Sequence, residues 1–111
     1  MKNITAPLGW FYSEKFNYWQ KTKGKVVVYV SRLIFGYQAQ LYYRGQLGFC
    51  ELEVRTNSKG EAGYLKMFVL AEIWLEKYQD GDSEKISKDI YHISNPNGVW
   101  LENHNDKKYL I

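Results

Sequence analysis

The sequence predicts an α+β domain: an antiparallel sheet of three to four strands, one long helix packed on it, and a C-terminal hairpin. Three observations lead there. Between Val26 and Arg55 lie three stretches rich in β-branched and aromatic residues, joined by short glycine-containing breaks, as in a meander of consecutive strands. Glu61 to Tyr78 carries a helical period instead. Asn95-Pro96-Asn97-Gly98 is a strong turn, and the two short strand-like runs after it, Val99 to Glu102 and Lys108 to Ile111, make the hairpin. At 111 residues the chain forms one domain, 1–111, with enough length to bury a core without staples.

Met1 to Gly9 reads as an extended lead. Trp10 to Trp19 follows, with aromatic rings at six of its ten positions, and fits a strand or a mixed segment; a short helix capped by Ser13 is the other reading. Lys21, Lys23, Gly24 and Lys25 make a basic turn. Val26 to Phe35 is almost continuously apolar, as expected of a central strand, and Gly36 permits a bend. Tyr37, Ala39, Leu41 and Tyr43 alternate with Gln38, Gln40, Tyr42 and Arg44, so the first set faces a core. In the next strand Cys50, Leu52 and Val54 form the inner row, which sets Glu51 and Glu53 across from Gln38, Gln40 and Arg44 as polar pairs.

The helix is the element that the strands cover. Steps of 100° gather Tyr64, Met67, Phe68, Ala71, Trp74, Leu75 and Tyr78 in one arc and Glu61, Lys66, Glu72, Glu76 and Lys77 in the opposite one. Through the charged arc runs a second apolar line, Leu65, Val69 and Ile73, repeating every four residues. Monomers seldom leave such a line bare, so it is covered either by the C-terminal segment or by a partner. Gly81, within Asp80-Gly81-Asp82-Ser83, stops the helix, and Ser83 to Tyr91 has the spacing of a short second one.

Few chemistries survive inspection. His92 and His104 lie at no metal-ligand spacing to a carboxylate or to Cys50, and the acids after Asp80 fail as a calcium loop because Lys85 and Tyr91 stand where Gly and Glu are needed. There is no phosphate loop, no nucleophile elbow and no pairing of histidine with thiol. The expectation is a protein that is not an enzyme, with no catalytic residues, no metal and no cofactor. A lone Cys50 cannot close a disulfide within the chain, and neither an apolar leader nor a membrane-length run occurs, so a cytoplasmic protein without a membrane partner is expected.

Charge is uneven along the chain. Residues 1–66 hold ten Lys or Arg against four acids, a balance of +6, and residues 67–111 hold five against eight, a balance of −3. Such polarity suits an acidic partner at the basic half or a contact between copies. Together with the abundance of Tyr and Trp and the extra helix line, it points to a small protein-binding module, with Leu65, Val69, Ile73, Glu72 and Glu76 as the contact residues and a homodimer as one form of the assembly. By class analogy, inhibitors and immunity proteins of phages and mobile elements have this build and mask a partner surface. The alternative is a nucleic-acid-binding protein in which Trp10, Trp19 and Tyr42 stack on bases while Lys21, Lys23, Lys25 and Arg44 answer phosphates.

Overall fold

A computed structural model of the chain describes residues 4–45, 50–58 and 60–82, together with the backbone of 101–102. Strands β1 (Phe11–Ser13), β2 (Tyr18–Lys23), β3 (Val26–Leu33), β4 (Gly36–Tyr43), β5 (Cys50–Thr56) and β6 (Leu101–Glu102) form one antiparallel sheet in sequential order, and helix α1 (Gly60–Tyr78) precedes β6. The α+β architecture is therefore an all-neighbour meander with one helix across it. The expected second helix and the rest of the C-terminal hairpin lie outside the described residues; of the hairpin, only β6 is seen, paired with β5 through Val54 and Leu101.

The sheet is wider than the expected three or four strands because the aromatic segment is extended. Trp19 faces Val30 and Lys21 faces Val28, so β2 runs on through residues expected to turn. Only Gly24 and Lys25 turn, and Gly24 does so at a φ of 57°, with its backbone against the Gln79 carbonyl. The β1–β2 connection is closed by Asn17, whose amide donates to the Ser13 carbonyl at 2.8 Å and which adopts a φ of 55°, a region asparagine tolerates. At the β3–β4 end the chain reverses at Ile34 and Phe35 rather than at Gly36, which opens β4 opposite Leu33.

Alternation divides each strand between two faces. Val26, Val28 and Val30 of β3, Ala39 and Leu41 of β4 and Leu52 and Val54 of β5 point to the helix and are fully buried. Against them α1 lays Met67, Phe68, Ala71, Trp74, Leu75 and Tyr78, the arc read from its period. Gly63 lets the first turn approach closely, since a Cβ there would stand 2.1 Å from the Ser58 carbonyl oxygen. One strand departs from its expected alternation. The register slips between Leu41 and Tyr42, so Cys50 comes opposite Tyr42 and is half-buried instead of joining the inner row with Leu52 and Val54.

Candidate functional site

The outward side of α1 follows from the packing of its inward side. With the Met67 to Tyr78 arc held by the sheet, the i, i+4 line of Leu65, Val69 and Ile73 is turned to solvent, 40%, 59% and 53% exposed. Glu72 and Glu76 run beside it on the flank nearest β2. A shallow depression between them is lined by Glu72, Ile73, Glu76 and Lys77.

Those two acids are engaged within the chain. Lys21 Nζ lies 2.7 Å from Glu72 Oε1, and the same oxygen accepts from Trp10 Nε1 at 2.7 Å. Lys21 also donates to the Leu8 carbonyl at 3.4 Å, and Lys23 pairs with Glu76. The geometry follows from β2 being a strand: Lys21 and Lys23 share a parity, and that parity faces the helix. Two groups of residues that sequence reasoning kept apart, the lysines and the helix glutamates, thus meet as one row of ion pairs. The charge polarity of the chain is in this part answered internally.

The rings expected to stack on bases are divided between the two faces. Trp10 is buried, meeting Phe68 edge-on at 4.8 Å, and Trp19 packs partly buried against the same ring at 6.4 Å. Both belong to the helix side. Tyr42 lies on the opposite face. Lys25 and Arg44 sit at the far end of the sheet, around a cleft they share with Gly24, Tyr43, Gly45 and Gly81, where Arg44 donates to the Gly24 carbonyl at 3.2 Å. The structure does not bring the seven residues into one surface.

Instead, the sheet face turned away from α1 carries an aromatic ladder that the sequence did not reveal. Phe16 stacks on Tyr18 at 5.6 Å, Tyr18 meets Tyr29 at 4.6 Å, and Tyr29 meets Tyr42 at 5.5 Å. Around it stand Gln20, Gln38 and Gln40, and Glu53 is held there by Gln40 and by Arg55, the latter at 2.8 Å. Burial pushes the Tyr29 phenol above its ordinary value of 10.0, with Tyr18 adding to the shift. Tyr42 is raised further, first by burial and then by the Cys50 thiol and Glu53. The three rings lie on separate strands, so only the register joins them. At one edge of the molecule Ile34 and Phe35 also project from the β3–β4 turn, 90% and 68% exposed.

The chain matches no family model, no curated protein and no solved structure. Its function has to be read from these surfaces. Among the described residues no three His, Cys, Asp or Glu side chains gather as a metal site, and no helix is long and apolar enough to cross a membrane.

Proposed function

We propose that this is a small non-enzymatic protein-binding module that lays the outward side of α1 against a partner and masks part of that partner's surface. The observation that carries the reading is the exposure of Leu65, Val69 and Ile73 on a helix whose other side packs on the sheet. Three large side chains in one row, beside glutamates already neutralised by Lys21 and Lys23, offer an apolar contact with little charge to desolvate. Inhibitors and immunity proteins of phages or mobile elements act by such masking, and this chain is assigned to that class by analogy of size and build.

The test is affinity capture from cells expressing the protein, run side by side with wild type and Val69→Asp. A stoichiometric protein held by the first and lost by the second, with both variants equally folded, supports the reading. If both retain the same proteins, the helix row is not the contact.

A second reading, binding of single-stranded nucleic acid, is favoured by the ladder from Phe16 to Tyr42, whose partly exposed rings offer stacking surfaces on the sheet face away from α1. Two of its expected phosphate partners, Lys21 and Lys23, are turned to the other face and paired with acids. The expected outcome is weak or absent binding to short oligonucleotides; affinity that falls steeply with salt would reverse the ranking of the two readings.

A further inference from the structure

Three connections meet at one end of the sheet. A meander brings the β2–β3 and β4–β5 turns to the same end, and α1, which starts at the other, finishes there too. Between them is a cleft of about 560 Å³ along which Gly24, Gly45 and Gly81 place no side chain. Its charged members are Lys25 and Arg44. Arg44 and Gly45 also line a second hollow of about 400 Å³, on the sheet face away from α1, together with Gln20, Thr22, Val27 and Tyr29. The two hollows meet at Arg44.

Both cations are held in place without an acid. The Arg44 amide donates to the Lys25 carbonyl at 2.8 Å and its Nη1 to the Gly24 carbonyl at 3.2 Å, which leaves the other donors of the guanidinium fork to the cleft. The Lys25 stem lies across Gly81, where an added Cβ would stand 3.1 Å from the lysine Cβ. Lys21, Lys23 and Arg55 are paired with glutamates, whereas among the described residues neither Lys25 nor Arg44 has an acidic partner. Nor does an acid occur among the described residues that line the hollows. Asp80 and Asp82 flank Gly81 in sequence, and Asp80 Oδ1 is engaged by the Asp82 amide at 3.3 Å. The negative end of α1 is answered as well, since the Gln79 carbonyl accepts from the Lys25 amide at 2.8 Å and the Tyr78 carbonyl from the Gly81 amide at 2.9 Å.

We propose that the joined hollows bind a free nucleotide, its terminal phosphate between Lys25 and Arg44 and its base over Val27 beside Tyr29. A phosphate monoester carries about two negative charges at neutral pH and three acceptor oxygens, which an ammonium and a guanidinium fork answer together. The base is apolar on its faces and polar at its edges. Val27, 6% exposed, gives an apolar floor and Tyr29 an aromatic wall, while Gln20 and Thr22 supply hydrogen bonds for the edges. A phosphodiester within a strand carries a single charge, so the same pair of cations favours the free nucleotide. The site shares no residue with the outward row of α1 and is independent of the protein contact proposed there.

The experiment is isothermal titration of the full chain at physiological ionic strength with the four ribonucleoside monophosphates, their nucleosides, inorganic phosphate and a short single-stranded oligonucleotide without a terminal phosphate. The expected result is saturable binding of at least one monophosphate, tighter than its nucleoside, inorganic phosphate or the oligonucleotide. Lys25→Ala and Arg44→Ala each weaken it about tenfold, with circular dichroism unchanged. Arg32→Ala removes an exposed cation at the other end of β3 and leaves the affinity as it was.

Absence of saturation by every monophosphate overturns the inference. A nucleoside that binds as tightly shows that the cations hold no phosphate, and inorganic phosphate that binds as tightly shows that the base has no seat; either result overturns it. Tighter binding of the oligonucleotide assigns the surface to nucleic acid instead. An equal loss from Arg32→Ala reduces the effect to net charge, and also overturns the site.

Discussion

Two residues carry consequences out of proportion to their size. Gly63 lies within a helix, where replacing glycine by alanine ordinarily gains about 1 kcal/mol. Here the added Cβ meets the Ser58 carbonyl at 2.1 Å and the Tyr37 ring at 2.8 Å, so Gly63→Ala is expected to lose about 1–3 kcal/mol in urea unfolding. A gain would mean that the helix can lift from the sheet at its first turn. Tyr42 gives a pH signature. Its folded-state phenol titrates above the ordinary value of 10.0, as does that of Tyr29, whereas the unfolded chain ionises both near that value. The stability they contribute is whole below pH 10 and is lost as pH climbs beyond it. Alkaline destabilisation should therefore begin there, and Tyr29→Phe and Tyr42→Phe should each flatten the decline. An absorbance titration in which all phenols ionise together before unfolding would contradict this.

At the level of the element, α1 has two apolar sides with different fates. Trp74 is fully buried, so Trp74→Ala is expected to cost about 3–5 kcal/mol. Its neighbour Ile73 is 53% exposed, and Ile73→Ala should change stability by no more than about 0.5 kcal/mol. Chemical denaturation of the two variants checks both, and a large loss for Ile73→Ala would place that side chain in the core. The helix was the most legible part of the sequence, expected at Glu61 to Tyr78 and found at Gly60–Tyr78, because a period sustained over five turns leaves little choice of orientation. The central strands were legible for the same reason. The first two were not, since rings at Trp10, Tyr12, Phe16 and Trp19 satisfy helix and strand spacing alike, and their pairing with Val30 and its neighbours decides the matter. Cys50 was misplaced because a slip in register leaves no mark in the alternation of a single strand. The exposure of Leu65, Val69 and Ile73 follows from the period, but the joining of Tyr18, Tyr29 and Tyr42 across three strands needs the register itself.

Over the whole molecule, the arrangement of charge differs from its distribution along the chain. A basic first half and an acidic helix suggest a polar molecule, yet the fold presses one against the other through Lys21 and Glu72, and Lys23 and Glu76. Removing both lysines should therefore act on folding first. Lys21→Ala with Lys23→Ala is expected to cost about 1–2 kcal/mol in urea unfolding, since it strips partners from acids that flank the core. No loss would mean that the pairs are surface ornaments of the sheet. The sequential order of the strands has a further consequence, for the birth of the chain. Each strand leaving the ribosome finds its neighbour already waiting, so the sheet can assemble from its N-terminal edge as it is made. The helix comes after β5, and its 19 residues take roughly one to four seconds to translate at common elongation rates. For that interval Val26, Val28, Val30, Ala39, Leu41, Leu52 and Val54 form a greasy sheet with nothing over it. Released chains truncated before Gly60 should be the ones that chaperones hold.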